Sequence, residues 1–382
     1  MAEPVAGIDP AELGGYLASR GWHRDGSWRG AGVWELEHSG QLLIPDHLEY
    51  QDDGELITEA VRKLAGYEER PERELVLDIL QPMVDSQYFR MHPDAPSGSI
   101  PLPAGLRAVQ AVHELMRTAA RIADEGPRLH FAGRRRSLMV DGLMHRITLG
   151  AARPGSYILT ARVPVAAPSP PQGSLWPEER AAGAPAELPG RIATSKLHRA
   201  VTAAQAAATQ VIGSRMAAGQ DRLDVFDDSV EQGVCANVCK ALGDLGGLDR
   251  DRPFEIGFAW GRGLPAEEPA DPVAFTGAMA VILRQAGQDL EKLARSGRGQ
   301  ITGEVETLSM RAGEEPRIKV VGDFRADGGD AAKRGLWIIV SRSQYDQAIE
   351  AQRAGWQINA AGSLVNAHNR REMRPQKFDI QR

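Results

Sequence analysis

The spacing of apolar residues changes along the chain and predicts three successive segments. The first begins with a helical run, PAELGGYLASRG, in which Gly21 stands where a helix C-cap is expected. Two alternating stretches then predict the strands of a hairpin, SWRGAGVWELEH and QLLIPDHLEY. A second helical run, GELITEAVRKLAGYEER, follows. We therefore expect residues 1–92 to form a small N-terminal α-β-β-α unit.

A central α+β domain is predicted over residues 93–297, with a proline-rich insertion at about 164–190. Seven prolines from Pro164 to Pro189 are incompatible with a helix or a central strand, so this tract is expected to be a surface loop or a hinge between two halves. The other predicted elements are helices at about Leu106–Ala123, Arg135–His145 and Pro272–Ala294, and strands at RLHFAG, GSYILTARVPV and FEIGFAW.

The last segment, residues 298–382, has a strand pattern with a single helix. Three alternating runs precede the helix, ITGEVETLSM, RIKVVGDFR and GLWIIV. The helix is predicted to open at Ser343 and end at Gly355, and two further strands follow it, WQINAAGSL and EMRPQKFDI. This order resembles the oligonucleotide- and oligosaccharide-binding (OB) fold, a five-stranded β-barrel with its helix between strands three and four. A nucleotide-binding βαβ unit fits less well, because no glycine-rich turn follows WIIV.

The N-terminal unit carries a second resemblance. Gly21 and Trp22 end its first helix, and Pro45 and His47 lie in a strand before the next helix. This pattern is similar to that of the HicA toxin family, small ribonucleases with a double-stranded-RNA-binding type of fold. The family's catalytic histidine lies in a Gly-Ser-His on the first strand, where this chain has AGV at residues 31–33. The resemblance therefore implies the fold without the nuclease activity.

Composition and length are those of a globular protein of two or three domains, with 42% apolar and 25% charged residues among 382. The first residues do not resemble a secretory signal, and no apolar stretch is long enough for a membrane span. We expect a cytoplasmic protein with no membrane partner. Cys235 and Cys239 stand four residues apart, and buried thiols are a simpler interpretation than half of a zinc site.

Charge is unevenly distributed, which bears on the choice of partner. The formal net charge is −6, yet the segment from Arg298 to Arg382 holds fourteen Lys and Arg against eleven Asp and Glu. A basic module on an acidic body favours local attraction for an anionic partner, although a solvated surface explains so small an excess equally well.

The candidate binding residues follow from the OB resemblance. In such barrels the ligand lies across strands two and three, framed by the loops after strands one and four. Cations would follow the phosphates of single-stranded nucleic acid and an aromatic ring would stack on a base. The residues at these places are Arg317, Lys319, Arg325, Trp337, His368, Arg370 and Arg371, and a secondary basic patch is Arg134, Arg135 and Arg136.

No catalytic motif is found, and no cofactor or metal is expected. The acidic run DVFDDSVEQ, with Asp224, Asp227, Asp228 and Glu231, has carboxylates for a divalent ion, but acidic residues at a helix start more commonly offset the helix dipole. The sequence thus favours a non-catalytic nucleic-acid-binding or sensor protein in a larger assembly. The alternatives are a protein–protein adaptor that uses the barrel as its interaction module, and a cryptic nuclease.

Overall fold

The chain divides into two compact units in a computed structural model. Residues 8–36, 40–50, 52–133, 137–150, 157–165, 189–218, 222–249, 251–264, 266–311, 313–327, 331–367 and 370–381 are described. The first unit takes in the described residues of Met1–Ser86, Pro164–Pro177 and Ala259–Glu267, and the second those of Gln87–Val163, Glu178–Phe258 and Glu268–Arg382. The proline-rich insertion predicted at 164–190 lies mostly outside the described residues.

The first unit has a three-stranded antiparallel sheet where the sequence predicted a two-stranded hairpin. The sheet has the order β1-β2-β3. The stretch SWRGAGVWELEH was interpreted as one strand, but Arg29 and Gly30 have positive φ (50° and 81°) and reverse the chain within it. The elements of this unit are α1 (Pro10–Ser19), β1 (His23–Trp28), β2 (Ala31–Leu36), β3 (Gly40–Pro45), α2 (Asp53–Tyr67) and α3 (Glu72–Leu80).

The three helices of this unit share one hydrophobic core with a single face of the sheet. Leu42 and Ile44 project from β3 into a cluster that includes Leu17 of α1, Leu64 of α2 and Leu75 of α3, all at most 3% exposed. Because strand residues alternate, the neighbouring positions on β3 face away from this core. The opposite side of the sheet therefore does not contribute to this core.

The middle of the chain contains a five-stranded sheet with the order β5-β6-β4-β7-β8. Three of these strands, β4, β5 and β8, were not predicted, and β8 lies where the sequence was expected to start the helix Pro272–Ala294. The alternation of β4 is hidden because VDSQYFRM brings the polar residues Asp85, Ser86 and Gln87 into the interior. The elements are β4 (Val84–Met91), α4 (Leu102–Glu125), α5 (Leu138–Arg146), β5 (Thr148–Leu149), β6 (Tyr157–Pro164), α6 (Pro189–Ala218), α7 (Val225–Asp228), a 3₁₀ turn (Val230–Gln232), α8 (Ala236–Leu245), β7 (Phe254–Ala259), β8 (Val273–Phe275) and α9 (Gly277–Arg295).

The predicted strand at RLHFAG is wrong, and the side chain of Asn237 gives the physical reason. The Phe131 backbone N–H donates to Asn237 Oδ1 (2.9 Å), and the Ala236 backbone N–H donates to the Leu129 carbonyl (2.8 Å). Leu129 and Phe131 are buried as strand residues would be. Their backbone groups, however, are satisfied by the start of α8 rather than by a neighbouring strand.

The C-terminal strands close into a five-strand β-barrel with the order β10-β11-β13-β12-β9. β11 runs parallel to β13, and the other pairs are antiparallel. α10 connects β11 to β12; its capping box is formed by Ser341 and Gln344, two residues earlier than predicted, and Gly355 ends it with φ 68° as expected. The elements are β9 (Arg298–Ser309), β10 (Arg317–Ala326), β11 (Ala332–Ile339), α10 (Arg342–Ala354), β12 (Gln357–Ala367) and β13 (Arg370–Gln381).

Glycines allow two barrel strands to approach each other closely. Gly303 of β9 lies opposite Gly322 of β10. A Cβ on Gly303 would stand 2.1 Å from the Val321 carbonyl oxygen, and one on Gly322 would stand 2.0 Å from that of Thr302. Any side chain at either position would therefore separate β9 from β10.

Within the described part of the chain, no helix is both apolar and long enough to cross a bilayer. Cys235 and Cys239 are fully buried at the start of α8, as the sequence predicted, and burial raises the pKa of the Cys235 thiol to about 12.

Candidate functional site

One surface of the barrel gathers four of the sequence-predicted binding residues. Lys319 on β10 lies directly opposite Trp337 on β11, and Trp337 in turn lies opposite Glu372 on β13. Arg370 begins β13, and its guanidinium carbon is 4.5 Å from the Trp337 ring centroid. With Arg317, two residues before Lys319 on β10, these side chains form what we call the cationic face: Arg317, Lys319, Trp337 and Arg370.

A short acidic segment from the helical region lies against this face. The segment, residues 222–228, precedes and includes α7. Lys319 Nζ is 3.2 Å from Asp224 Oδ2 and 2.8 Å from Asp228 Oδ2. Trp337 Nε1 donates to Asp228 Oδ1 over 3.4 Å. The acidic run that the sequence assigned to the helix dipole thus provides the anionic partners of the cationic face.

Further ion pairs hold the two ends of this contact. Arg370 is 3.4 Å from Asp228 Oδ1. Arg222, at the start of the acidic segment, pairs with Asp224 at 2.9 Å and with Glu306 of β9 at 2.6 Å. The segment therefore contacts four barrel strands, β9, β10, β11 and β13.

Gly335 makes the close approach of the acidic segment possible. Its backbone forms a hydrogen bond that stabilises the Asp224 carboxylate. A Cβ at this position would stand 2.6 Å from Asp224 Oδ2 and 2.6 Å from Lys319 Cε. Since those atoms form an ion pair, an alanine here would push them apart or displace the segment.

The ion pairs change the protonation chemistry of both partners. Burial alone would raise the pKa of Asp224, but the hydrogen bond from Arg222 and the charge of Lys319 outweigh it and hold the pKa below its usual value. Burial alone would lower the pKa of Lys319, but Asp228 and Asp224 raise it instead. Both groups therefore stay charged near neutral pH.

A second contact lies deeper and contains a carboxyl group of unusual pKa. The Arg334 guanidinium of β11 pairs with Asp227 of α7 and, over 2.9 Å, with Asp289 of α9. Burial is the main reason that the pKa of Asp227 rises to about 7, and the nearby Asp289 adds to it. Oδ1 of Asp227 has no hydrogen-bond partner among the described residues. One guanidinium thus faces two carboxyl groups, of which one can hold a proton at neutral pH.

Arg317 is buried on this face beside a buried carboxylate. It is 6% exposed, and its side chain pairs with Glu314 and lies 3.5 Å from Glu372, which is fully buried. Arg370 also reaches Glu372, over 2.9 Å. The cationic face is therefore balanced by carboxylates from the barrel itself as well as by the acidic segment.

The other predicted binding residues do not join this face. Arg325 is exposed on β10 six residues beyond Lys319, about 20 Å along an extended strand. Arg371 donates to the carbonyl oxygens of Leu293 (3.4 Å), Ala294 (3.2 Å) and Ser296 (2.8 Å) at the end of α9. Residues 368 and 134–136, the predicted His368, Arg134, Arg135 and Arg136, lie outside the described residues.

Sequence reasoning missed the residues that complete the contact. Arg334, Glu306 and Glu372 were not among the predicted site residues. Their alternation along the strands was visible, but no local pattern shows that α7 meets the barrel.

Within the described part of the chain, no group of His, Cys, Asp and Glu has an arrangement that could hold a metal ion. Comparison with protein-family models, curated proteins and solved structures gives no match.

Proposed function

We propose that the C-terminal barrel is an OB-like module that binds single-stranded nucleic acid across the cationic face, and that the acidic segment covers this face until the ligand displaces it. The proposal is of a non-catalytic binding or sensor protein. The observation that carries it is the position of Asp224 and Asp228, whose carboxylates meet Lys319 and the Trp337 ring on strands two and three of the barrel.

Strand order supports the OB-like assignment. The order 2-3-5-4-1, with the third and fifth strands parallel and the helix between the third and fourth, is the arrangement expected of that barrel. In OB-folds the second and third strands and the loop after the fourth contact the ligand. Lys319, Trp337 and Arg370 occupy those places here.

The acidic segment supports the choice of an anionic ligand. Its carboxylates make the charge-assisted contacts that phosphate oxygens would make with the same cations. Arg370 covers one side of the Trp337 ring, which a base would need to displace in order to stack. We therefore expect weak binding by the native chain and tighter binding once the carboxylates are neutralised.

The test is binding of fluorescent single-stranded DNA and RNA oligonucleotides by the full chain. Neutralising the segment with D224N and D228N together should tighten binding about tenfold, or about 1.4 kcal/mol, because the ligand no longer has to break the ion pairs between Lys319 and the segment. Binding by that variant should weaken about 20-fold between about 50 and about 200 mM salt if three phosphates are contacted. Lys319→Gln and Trp337→Leu should each weaken it.

Lys377→Gln is the matched control, because Lys377 is an exposed lysine on β13 that pairs only with Asp379 among the described residues. Gly335→Ala supplies a second way of displacing the segment without removing charge. Absence of binding at low salt by the native chain, the double variant and Gly335→Ala alike, with all of them folded, would refute the proposal. Co-purification of a protein partner in that case would favour the adaptor.

A further inference from the structure

A groove in the first unit combines exposed aromatic side chains with an acidic wall. It has a volume of about 940 Å³ and lies between the sheet and α2. Trp28, Ala31 and Leu43 line its sheet side, and residues of the first turns of α2 line the other. Trp28 is 54% exposed and Tyr50 is 71% exposed. Aromatic rings are among the side chains most enriched where proteins bind partners, so the exposure of two such rings at one groove is typical of a binding surface.

The loop that presents Tyr50 is fixed by a buried carboxylate. Asp53 Oδ2 accepts the backbone N–H groups of Glu49 (2.8 Å) and Tyr50 (2.7 Å). Asp53 itself is 7% exposed at the start of α2. The aromatic ring is therefore held on an ordered turn, which lowers the entropy cost of binding against it.

The charge along the wall selects the kind of partner. Asp52 and Glu55 line the groove, and no cation among the described residues lies within ion-pair distance of either. Both stand at the N-terminal end of α2, where acidic residues also offset the helix dipole. Glu59, one turn further on, pairs with Arg62. The groove lining holds four carboxyl groups against the two guanidinium groups of Arg29 and Arg62, so its net charge is negative and it attracts cations and repels phosphates.

One cationic side chain of the protein already contacts an aromatic ring of the groove. Arg29 has positive φ in the turn after β1, and its guanidinium carbon lies 4.7 Å from the Trp28 ring centroid. A non-glycine residue in this conformation is uncommon, and here it places a guanidinium over the indole. A partner's arginine would find the same indole and, beside it, two carboxylates without a cation.

We propose that this groove binds a cationic, partly apolar peptide segment of a partner protein. Arginine or lysine side chains would pair with Asp52 and Glu55, and alternate apolar side chains would pack on Trp28, Leu43 and Tyr50. An extended segment places its side chains on opposite faces in this alternating way. The groove is independent of the barrel, so it does not rest on the function proposed above.

The test is binding of two short fluorescent peptides to the full chain, one of alternating Arg and Leu and one of alternating Glu and Leu. We expect the Arg–Leu peptide to bind and the Glu–Leu peptide not to bind. Reversing two charges with D52K and E55K together should weaken binding of the Arg–Leu peptide at least about tenfold, and Tyr50→Ala should weaken it about threefold. Asp346→Lys, on the exposed side of α10, is the matched charge control and should leave binding unchanged.

Equal binding of the two peptides, or unchanged binding of the Arg–Leu peptide to the folded double variant, would overturn the proposal. Because Asp52, Glu55 and Tyr50 are exposed, these variants should fold, and circular dichroism melting checks this. Double-stranded RNA is the alternative ligand for this surface. If the protein bound an RNA duplex, and if this binding were lost when Arg29 and Arg62 were changed, the proposal of a peptide site would also be contradicted.

Discussion

At the scale of single residues, the molecule is distinguished by charged side chains that are buried together. Arg334 is 3% exposed and Asp227 is 8% exposed, and both lie where α7 meets the barrel. Burying such a pair is costly unless each charge is matched, and here one guanidinium serves two carboxyl groups. Burial favours the neutral form of the carboxyl group and the nearby Asp289 adds to this, which explains why the pKa of Asp227 is raised.

This shift predicts how stability depends on pH. The folded-state pKa of Asp227, about 7, lies above its usual value of 3.8. The folded protein therefore holds the proton more tightly than the unfolded chain, and the resulting stability is lost as pH rises through 7. Asp227→Asn keeps an oxygen acceptor for Arg334 and cannot titrate. Urea unfolding between pH 5 and pH 8 should therefore show a weaker decline in the free energy of unfolding for the variant than for the native chain.

Asp346 has an exposed carboxyl group on α10, and Asp346→Asn serves as the control for that experiment. Its pH profile should follow that of the native chain. If the free energies of unfolding of Asp227→Asn and of the native chain declined in parallel from pH 5 to pH 8, Asp227 would not titrate near neutral pH.

At the scale of elements, the barrel is joined to α9 through Arg371. The sequence placed this residue in a binding loop, but its guanidinium reaches three carbonyl groups at the C-terminal end of α9 and the Leu364 carbonyl of β12 (3.2 Å). A cation at this end also interacts favourably with the helix dipole. Arg371 thus has a structural role that explains its charge without a ligand.

Arg371→Met should lower the stability of the protein by about 2 kcal/mol, because several charge-assisted hydrogen bonds to carbonyl groups are lost. Nucleic-acid binding by the D224N and D228N background should change little. Differential scanning calorimetry measures the first quantity and oligonucleotide titration the second. A loss of binding without a loss of stability would place Arg371 in the ligand site after all.

The elements also show what the sequence could predict. Period-two alternation and a capped helix were sufficient for a five-strand barrel with its helix after the third strand, because each strand carries its own inward face. The same reasoning failed at β4, whose buried Asp85 and Gln87 hide the alternation, and at Leu129–Phe131, where Asn237 replaces a strand neighbour. It also failed for the partners of the cationic face, because Asp228 lies 91 residues before Lys319, 109 before Trp337 and 142 before Arg370.

At the scale of the whole molecule, the contacts of α7 and α9 with the barrel predict that the second unit unfolds as one cooperative body. Thiol exposure of Cys235 and Cys239 reports on the helical part, since both are fully buried in it. Amide exchange of the barrel strands, followed by mass spectrometry in increasing urea, reports on the barrel. In the native chain the two midpoints should coincide, because the ion pairs of Lys319 and Arg334 couple the two parts.

The double change D224N and D228N should separate the two midpoints, with the barrel opening at lower urea while the thiols stay protected. This follows because the barrel loses the ion pairs of Lys319 and Arg370 with residues 224 and 228, although Arg334 keeps its pair with Asp227, while α8 keeps its own packing. Lys377→Gln should leave both midpoints in place. A barrel that already opens first in the native chain would mean that the acidic segment adds little to its stability, and displacement of the segment by a ligand would then cost little.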